Sequence, residues 1–545
     1  MIHLSHLRAV TRIPDPVHGH IEFNVFETEV IDSPYFQRLH HILQNSTTYV
    51  AFPANKNTRF SHSLGTAYIS GKLLRNSLSH ASTTDLREFL EEIGTFMRCH
   101  FLPPARNKKQ NQQTLDLLCK GWKKTVKGRS KFTHQPFLKQ DVELIENEEL
   151  FGCDDKGEFG FSAAFIVDTL WVSSRICGLV HDIGHLPMSH SFEGALAAAP
   201  LLFSLHQSGE DRKQRFTDVS SGTVFNKDQS TDADIIDRFL PFIEEFFGVS
   251  DELITKFINS IEIHERRSLA IFNILANTEN IEDSEFEEYR HIVYTISFFT
   301  LFASIVDKRG RIGKSAAQEF GAISNSFRLL KSIFAGEVDA DRMDYTIRDG
   351  LSCGSTIGNF DLDRVLSNAV LIKHHEEDHY GIAFDERALS GLERFFSERY
   401  DGYKYLIYHR TSSRTEACLQ ELIARLIHYA FLNLQSQITT TLVEYGFVHR
   451  EEGGDITDIV PMTKSTLENF DDSALRSAFF SIRRKIETLQ GTEGDLISDD
   501  MKLLEPISCL IDVVLFREFD NIHNPFKERS FHLYMQEILG TGYKK

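Results

Sequence analysis

Cysteine is scarce and unpaired. The seven cysteines among 545 residues (Cys99, Cys119, Cys153, Cys177, Cys353, Cys418, Cys509) form no CxxC pair and leave an odd total. That pattern excludes a disulfide framework or a zinc knuckle and suits reduced thiols in a cytoplasm. Long apolar runs are missing too: no window approaches the ~18 residues of a membrane span. The opening MIHLSHLRAVTRIPDP has no charged-then-apolar leader, so a cytoplasmic protein without a membrane partner is expected. Positive charge is in deficit. With 59 Lys and Arg against 78 Asp and Glu, the formal charge is −19, and the resulting field repels polyanions. Nucleic acid is therefore an unfavoured partner.

What remains is a chain rich enough in apolar residues, 41% against 25% charged, to bury a large core as one domain with insertions or as two lobes. DPVHGHIEFN joins a turn signal to alternating apolar residues and predicts a hairpin. Asp32-Ser33-Pro34 reads as a helix start, and RFSHSLGTAYISGKLL predicts a helix with His62 near its beginning. Helical periodicity dominates from there. Two stretches, about 80–165 and 194–250, differ in character and read as insertions. The first contains nine Lys or Arg between Arg106 and Lys131 against one acid, Asp116, a pattern that predicts a solvated, mobile segment. A Gly- and Asp-bearing break, VHREEGGDITDIVP, separates a core of 1–440 from a helix-rich lobe of 441–545. The fold class is mainly α, with small β elements and large insertions.

The chemistry centres on His181-Asp182, which follows the apolar run FIVDTLWVSSRICGLV. An imidazole beside a carboxylate at the end of a buried helix presents two metal-ligating groups where water is partly excluded. Distant His62 and Asp341 are candidate partners. Two histidines and two aspartates would give mixed nitrogen and oxygen ligation of a divalent or trivalent metal, which can polarise a phosphoryl group and lower the pKa of water. A His-Asp dipeptide alone carries little weight. Its context carries more: His185 and His190 follow within ten residues with Pro187 between them, and Arg59 stands three residues before His62. Histidines beside an arginine suit an anionic polyphosphate. From the residues alone, Tyr345 also fits a core aromatic and Arg399 a surface ion-pair partner, while His40 and His41 fit a partly exposed helix face.

Six ordered blocks, DPVHGHIEF, DSPYFQRL, RFSHSLG, HDIGHLPMSHSFE, IHERRSLAIF and DADRMDYTIRDG, resemble the HD-domain deoxynucleoside triphosphate triphosphohydrolases. That family includes dGTPase-like bacterial enzymes and vertebrate enzymes with a sterile-alpha-motif domain, which is not expected here. The resemblance implies an HD-domain helical metallohydrolase. His62, His181, Asp182 and Asp341 would bind Mn, Mg, Fe or Zn. His264 would act near the α-phosphate with Glu193 as carboxylate partner, and His190 would protonate the departing 5′ oxygen. Arg59, Arg342 and Arg399 would hold phosphates beside His185. Tyr345 would pack beneath the sugar and exclude a 2′-hydroxyl, and Asp349 and Gln44 would read the 3′-hydroxyl. Asn45 stands where relatives carry leucine, which would weaken discrimination against ribose or shift base choice. Asp32, Gln37, His40 and Arg364 would take an activating nucleotide, and a homo-oligomer, tetramer or hexamer, is implied. The implied reaction converts dNTP and water to deoxynucleoside and triphosphate, in dNTP homeostasis or phage defence. The alternatives are another HD nucleotide phosphohydrolase or phosphodiesterase, or a nucleotide-sensing or nucleic-acid-binding HD protein with little turnover.

Overall fold

The structure, a computed structural model, describes residues 9–102, 108–126, 149–154, 157, 159–204, 261–278, 284–311, 325–374, 379–451, 454–491 and 498–519, with a few isolated positions between 239 and 258. The fold is mainly α, with small two-stranded sheets. The predicted hairpin forms from β1 (Thr11–Asp15) and β2 (Gly19–Phe23), paired antiparallel with Thr11 opposite Phe23. Asp15 Oδ1 closes its turn by accepting the Val17 and His18 amides at 2.9 and 2.8 Å. An Asn24/Glu27 capping box starts α1 (Val25–Asp32), satisfying amides that the first helical turn leaves unpaired. Ser33 then caps a short helix with Pro34 at its first position, as the sequence predicts.

Two helices carry most of the ligands. Thr58 caps α2 (Arg59–Ser79), and Ser162 caps α3 (Ala163–Val180). They cross closely because a Cβ on Gly178 would fall 2.8 Å from Ala67 Cα. Behind them lie α4 (Ile263–Asn277) and α5 (Ser284–Arg311). A buried aromatic layer joins α1, α3 and α5: Phe26 stacks on Phe286 at 4.7 Å, and Phe165 meets Tyr289 edge-on at 5.4 Å. Next come α6 (Ala340–Ser352), the hairpin β3 (Ala369–His374) with β4 (His379–Phe384), and α7 (Leu389–Gly402), which runs into a π-helical turn at Tyr403–Ile407.

Two expectations are corrected. Part of the stretch 106–131, read as a solvated insertion, is the helix Lys108–Val126; its Leu118 is fully buried and its Trp122 Nε1 donates to Asp168 at 2.9 Å. The apolar face of this helix outweighs its lysines. Residues 127–148 and most of the 194–250 stretch lie outside the described residues. The reading of apolar windows also missed Ala163–Val180 and Glu285–Val306, which are long and apolar enough to cross a membrane, with mean hydropathies of 1.5 and 1.3. Each is 89% buried inside the protein, as core helices are.

The chain divides into two compact units. The first comprises Met1–His190, Asp218–His409 and Met462–Asp472, and the second Ser191–Thr217, Arg410–Pro461 and Ser473–Lys545. In the second, the helix Arg410–Leu432 buries Leu419, Leu422, Leu426 and Ile427. The break at VHREEGGDITDIVP forms a hairpin, Val448–Arg450 with Ile456–Ile459. Arg483 binds Asp512 at 2.6 Å to tie two later helices together.

Candidate metal centre and substrate cavity

His181 is the C-cap of α3, so the last helical turn aims both it and Asp182 at the start of α2. His62, one turn into α2, is fully buried, and Asp341 stands in the first turn of α6. The four donor groups converge. His62 Nε2 lies 2.8 Å from Asp341 Oδ1 and 3.8 Å from Asp182 Oδ2, while His181 Nε2 lies 3.3 Å from Asp182 Oδ2 and 3.8 Å from Asp341 Oδ1. Ligands at about 2.1 Å from one cation are themselves about 3.0–3.4 Å apart, so the spacing fits a metal. His181 Nδ1 donates to Gly178 O at 2.9 Å, which leaves Nε2 facing Asp182 and Asp341. An imidazole so oriented offers its other nitrogen to the cluster.

Electrostatics follow the same pattern. Burial disfavours a charged His62, but hydrogen bonds to Asp341 and Asp344 outweigh it and raise its pKa to about 9. Burial also opposes charge on His181, yet Asp182 and Asp341 hold its pKa well above the ordinary value. Burial would raise the carboxyl pKa of Asp182, but Arg59, His181 and His185 bring it well below the usual range. In Asp341 the same burial is overcome by hydrogen bonds from His181 and His62. Two anionic carboxylates facing two basic imidazoles form a donor set that fits a divalent cation.

Behind the ligands lies a layer of charge absent from the sequence reading. Asp344 Oδ2 binds His62 Nδ1 at 2.8 Å, and its Oδ1 binds His18 Nε2 at 2.6 Å. Arg348 grips Asp344 through Nε and Nη2, each at 2.8 Å, and reaches Asp15 at 2.8 Å. The hairpin turn is thereby tied to the metal cluster. Spacing held the signal: Asp344 follows Asp341 by three and precedes Arg348 by four, neighbouring positions on one helical face.

Arg59, nearly buried, is paired with Asp182 and donates Nε to Ser189 Oγ at 2.9 Å. Ser189 and Met188 adopt left-handed backbone conformations, φ 51° and 55°, an uncommon state for residues with side chains. Met188 N donates to Asp472 Oδ1 at 2.6 Å and Ser189 Oγ to Leu43 O at 2.9 Å, which holds the turn. Beyond it, His185 stacks on His264 with rings 4.4 Å apart and nearly parallel, and His190 lies 4.9 Å from His185 and 5.7 Å from His264. Burial and Arg59 push the His185 pKa well below its ordinary value, so this ring is neutral beside two further imidazoles.

One cavity of about 560 Å³ gathers Arg59, Asp182, His190, Asp341, Arg342, Tyr345, Asp349 and Arg399, with Gln44 and Asn45 on its wall. Tyr345 is no plain core aromatic: its hydroxyl accepts from Arg399 Nε at 2.9 Å. Arg342 reaches Glu337 at 2.8 Å. Asp349 accepts from Asn57 Nδ2 at 2.9 Å, and burial raises its pKa against the Asn45 and Asn57 amides.

Sequence comparison adds to this geometry. A stretch of 63 residues is 49% identical to deoxynucleoside triphosphate triphosphohydrolase SAMHD1 of Bos taurus, covering 12% of this chain and 11% of that protein. Another of 74 residues is 43% identical to the Gallus gallus enzyme of that name, covering 14% and 12%. An uncharacterized protein of Methanocaldococcus jannaschii shares 34% identity over 122 residues, 22% of this chain and 24% of its own. The matches support an HD-domain dNTPase-like family. The matched stretches span about a tenth to a quarter of those relatives, and no family model matches the chain. The His/Asp cluster is one that can hold a metal.

Not every expected residue lines this cavity. Glu193 lies in the first turn of the helix His190–Ser204, within the second unit. The residues expected to take an activating nucleotide are distributed. Asp32 lines a cleft with Glu29, Tyr35, Thr278 and Lys464, whereas Arg364 lines another with Phe360 and Arg394. Gln37 Nε2 donates to Ile31 O at 2.8 Å, and His40 stacks on Phe60 at 3.5 Å.

Proposed function

We propose that the chain is a metal-dependent dNTP triphosphohydrolase that converts dNTP and water to a deoxynucleoside and inorganic triphosphate. The observation that carries this reading is the meeting, in one cavity, of Asp182 and Asp341 of the four-donor cluster with Arg59, Arg342 and Arg399 and the polar wall of Gln44, Asn45 and Asp349. The similarity to the SAMHD1 deoxynucleoside triphosphate triphosphohydrolases supports it. His62, His181, Asp182 and Asp341 would hold a divalent or trivalent cation, which when bound supplies Lewis-acid polarisation of a phosphoryl oxygen and a more acidic water.

The residues then divide the work. Arg59 and Arg342 at the cluster, and Arg399 beyond Tyr345, offset charge on the triphosphate. A water oxygen bonds to the α-phosphorus, its proton passing to His264, as the bond to the 5′ oxygen breaks. His190, which faces the cavity from beyond the strained turn, donates a proton to that oxygen. His264 and neutral His185 position the attacking face. Tyr345 supports the sugar, and Asp349 and Gln44 read its hydroxyl. A cytoplasmic homo-oligomer that limits dNTP pools, with nucleotide activation through Asp32, Gln37, His40 and Arg364, belongs to the same reading.

The test is product analysis by ion exchange with Mn²⁺ or Mg²⁺ and each dNTP, alone and then mixed with GTP. Deoxynucleoside plus intact triphosphate is the expected result. Release of phosphate or pyrophosphate instead would point to another HD phosphohydrolase.

A further inference from the structure

Met188 and Ser189 hold left-handed backbone conformations immediately before His190, and such a state persists only where the surroundings over-determine it. One side chain supplies part of that constraint and links it to a second segment. Asp472 Oδ1 accepts the Met188 amide at 2.6 Å, and its Oδ2 accepts the Leu43 amide at 3.0 Å. The residue is 6% exposed, so both bonds are made where water offers no ready substitute.

The two amides belong to segments that reach the cavity. Gln44 follows Leu43 and His190 follows Ser189, and both line the cavity with Arg59. Between the segments, Ser189 Oγ donates to Leu43 O at 2.9 Å and accepts from Arg59 Nε at 2.9 Å. Asp472 is itself placed from behind. Buried Arg38 donates to Phe470 O at 2.8 Å and to Ile183 O at 2.9 Å, which pins the returning chain beside the residue that follows Asp182. A carboxylate offers an acceptor to each amide, whereas a carboxamide has one oxygen and turns its own N–H groups toward the second donor.

We propose that Asp472 is a positioning residue: by bridging the Leu43 and Met188 amides it locks the turn that aims His190 at the departing 5′ oxygen. This rests on the hydrolase reading of the cavity. Asp472 does not line that cavity and acts through the two backbone segments. A displacement of about 1 Å in a reacting group can cost about a hundredfold in rate, so a clamp remote from the chemistry sets kcat.

The experiment is a double-substitution cycle on the full chain, with the four dNTPs as substrates at pH 8, above the value of about 7 to which burial lifts the Asp472 carboxyl pKa. Asp472→Asn is expected to lower kcat by about 10- to 100-fold, with KM and metal content unchanged. Hydrogen exchange, read by mass spectrometry in the peptides containing Leu43 and Met188, should speed up in the same variant. In a His190→Ala background the substitution should cost little further, because the group it acts through is gone. Should Asp472→Asn melt far below the wild type, Asp472→Glu, which keeps two acceptor oxygens on a longer stem, runs through the same cycle. Equal losses with and without His190, an unchanged kcat, or unaltered exchange in both peptides would overturn the proposal. Absence of triphosphate release by the wild type, with exchange in both peptides still responding to the substitution, would defeat the hydrolase reading and keep the clamp.

Discussion

Asp344 holds His62 from behind: its Oδ2 lies 2.8 Å from Nδ1 while Nε2 of the same ring faces Asp341 at 2.8 Å. A ring held by one carboxylate has its orientation set before any metal arrives. Asp344→Asn keeps the side chain's shape and removes its charge, and it is expected to lower metal affinity about 10- to 100-fold. Metal analysis after dialysis, with melting temperature as a check on folding, decides this. Wild-type metal content in a folded variant would show that Asp344 plays no part in orienting the ligand.

Gly65 marks where α2 lets that carboxylate in. A Cβ there would stand 1.9 Å from Asp344 Oδ1 and 2.5 Å from an Arg348 nitrogen, so Gly65→Ala must displace a buried ion pair. The expected loss is about 1–3 kcal/mol of stability, the usual range for overpacking, together with weakened metal retention. Denaturant unfolding is the measurement, and a neutral substitution would mean that the pair relaxes freely.

Asp182 sits in the His/Asp cluster and pairs with Arg59. Asp182→Ala is expected to abolish metal retention and hydrolysis. Retained turnover in a folded variant would refute the ligand assignment.

Arg399 lines the cavity and donates Nε to the Tyr345 hydroxyl. Arg399→Ala should reduce kcat/KM for dNTP by about 10- to 100-fold, the scale of one lost charge-assisted contact. Tyr345→Phe should cost about 1 kcal/mol of stability. Steady-state kinetics and melting curves separate the two effects.

Asp168 supplies a pH dependence remote from the cluster. Burial lifts its carboxyl pKa to about 7, against the hydrogen bond from Trp122. Because the folded value exceeds the unfolded one, Asp168's contribution to stability is fully present below about pH 4 and is lost as pH rises through 7, amounting to at most about 4 kcal/mol. Asp168→Asn should flatten that part of the profile. Unfolding free energies of both proteins at pH 5 and pH 8 provide the comparison, and parallel profiles would contradict it.

Short-range signals identify the right elements where a few residues decide them. Ser33-Pro34 starts a helix, DPVHGH turns a hairpin, and His181-Asp182 ends an apolar helix, because caps, turns and periodicity act over one or two turns. The helix Lys108–Val126 was misread because its lysines hid an apolar face that depends on burial of Leu118 and on the bond from Trp122 to Asp168. Asp344 and Arg348 were passed over although their spacing on α6 marked them, since a charge at i+3 or i+4 is more often a solvated pair.

By itself the sequence determined which side chains can ligate a metal and which helices carry them, since donor chemistry and helical phase are properties of short segments. Only the tertiary structure decided that His62 and Asp341, 279 positions apart, share a cluster, that Asp15 reaches Arg348 across 333, and that Gln44, Asn45 and Asp349 share a cavity wall. Such meetings arise when helices pack their apolar faces together, and no local pattern encodes which distant partner that packing brings within hydrogen-bond distance.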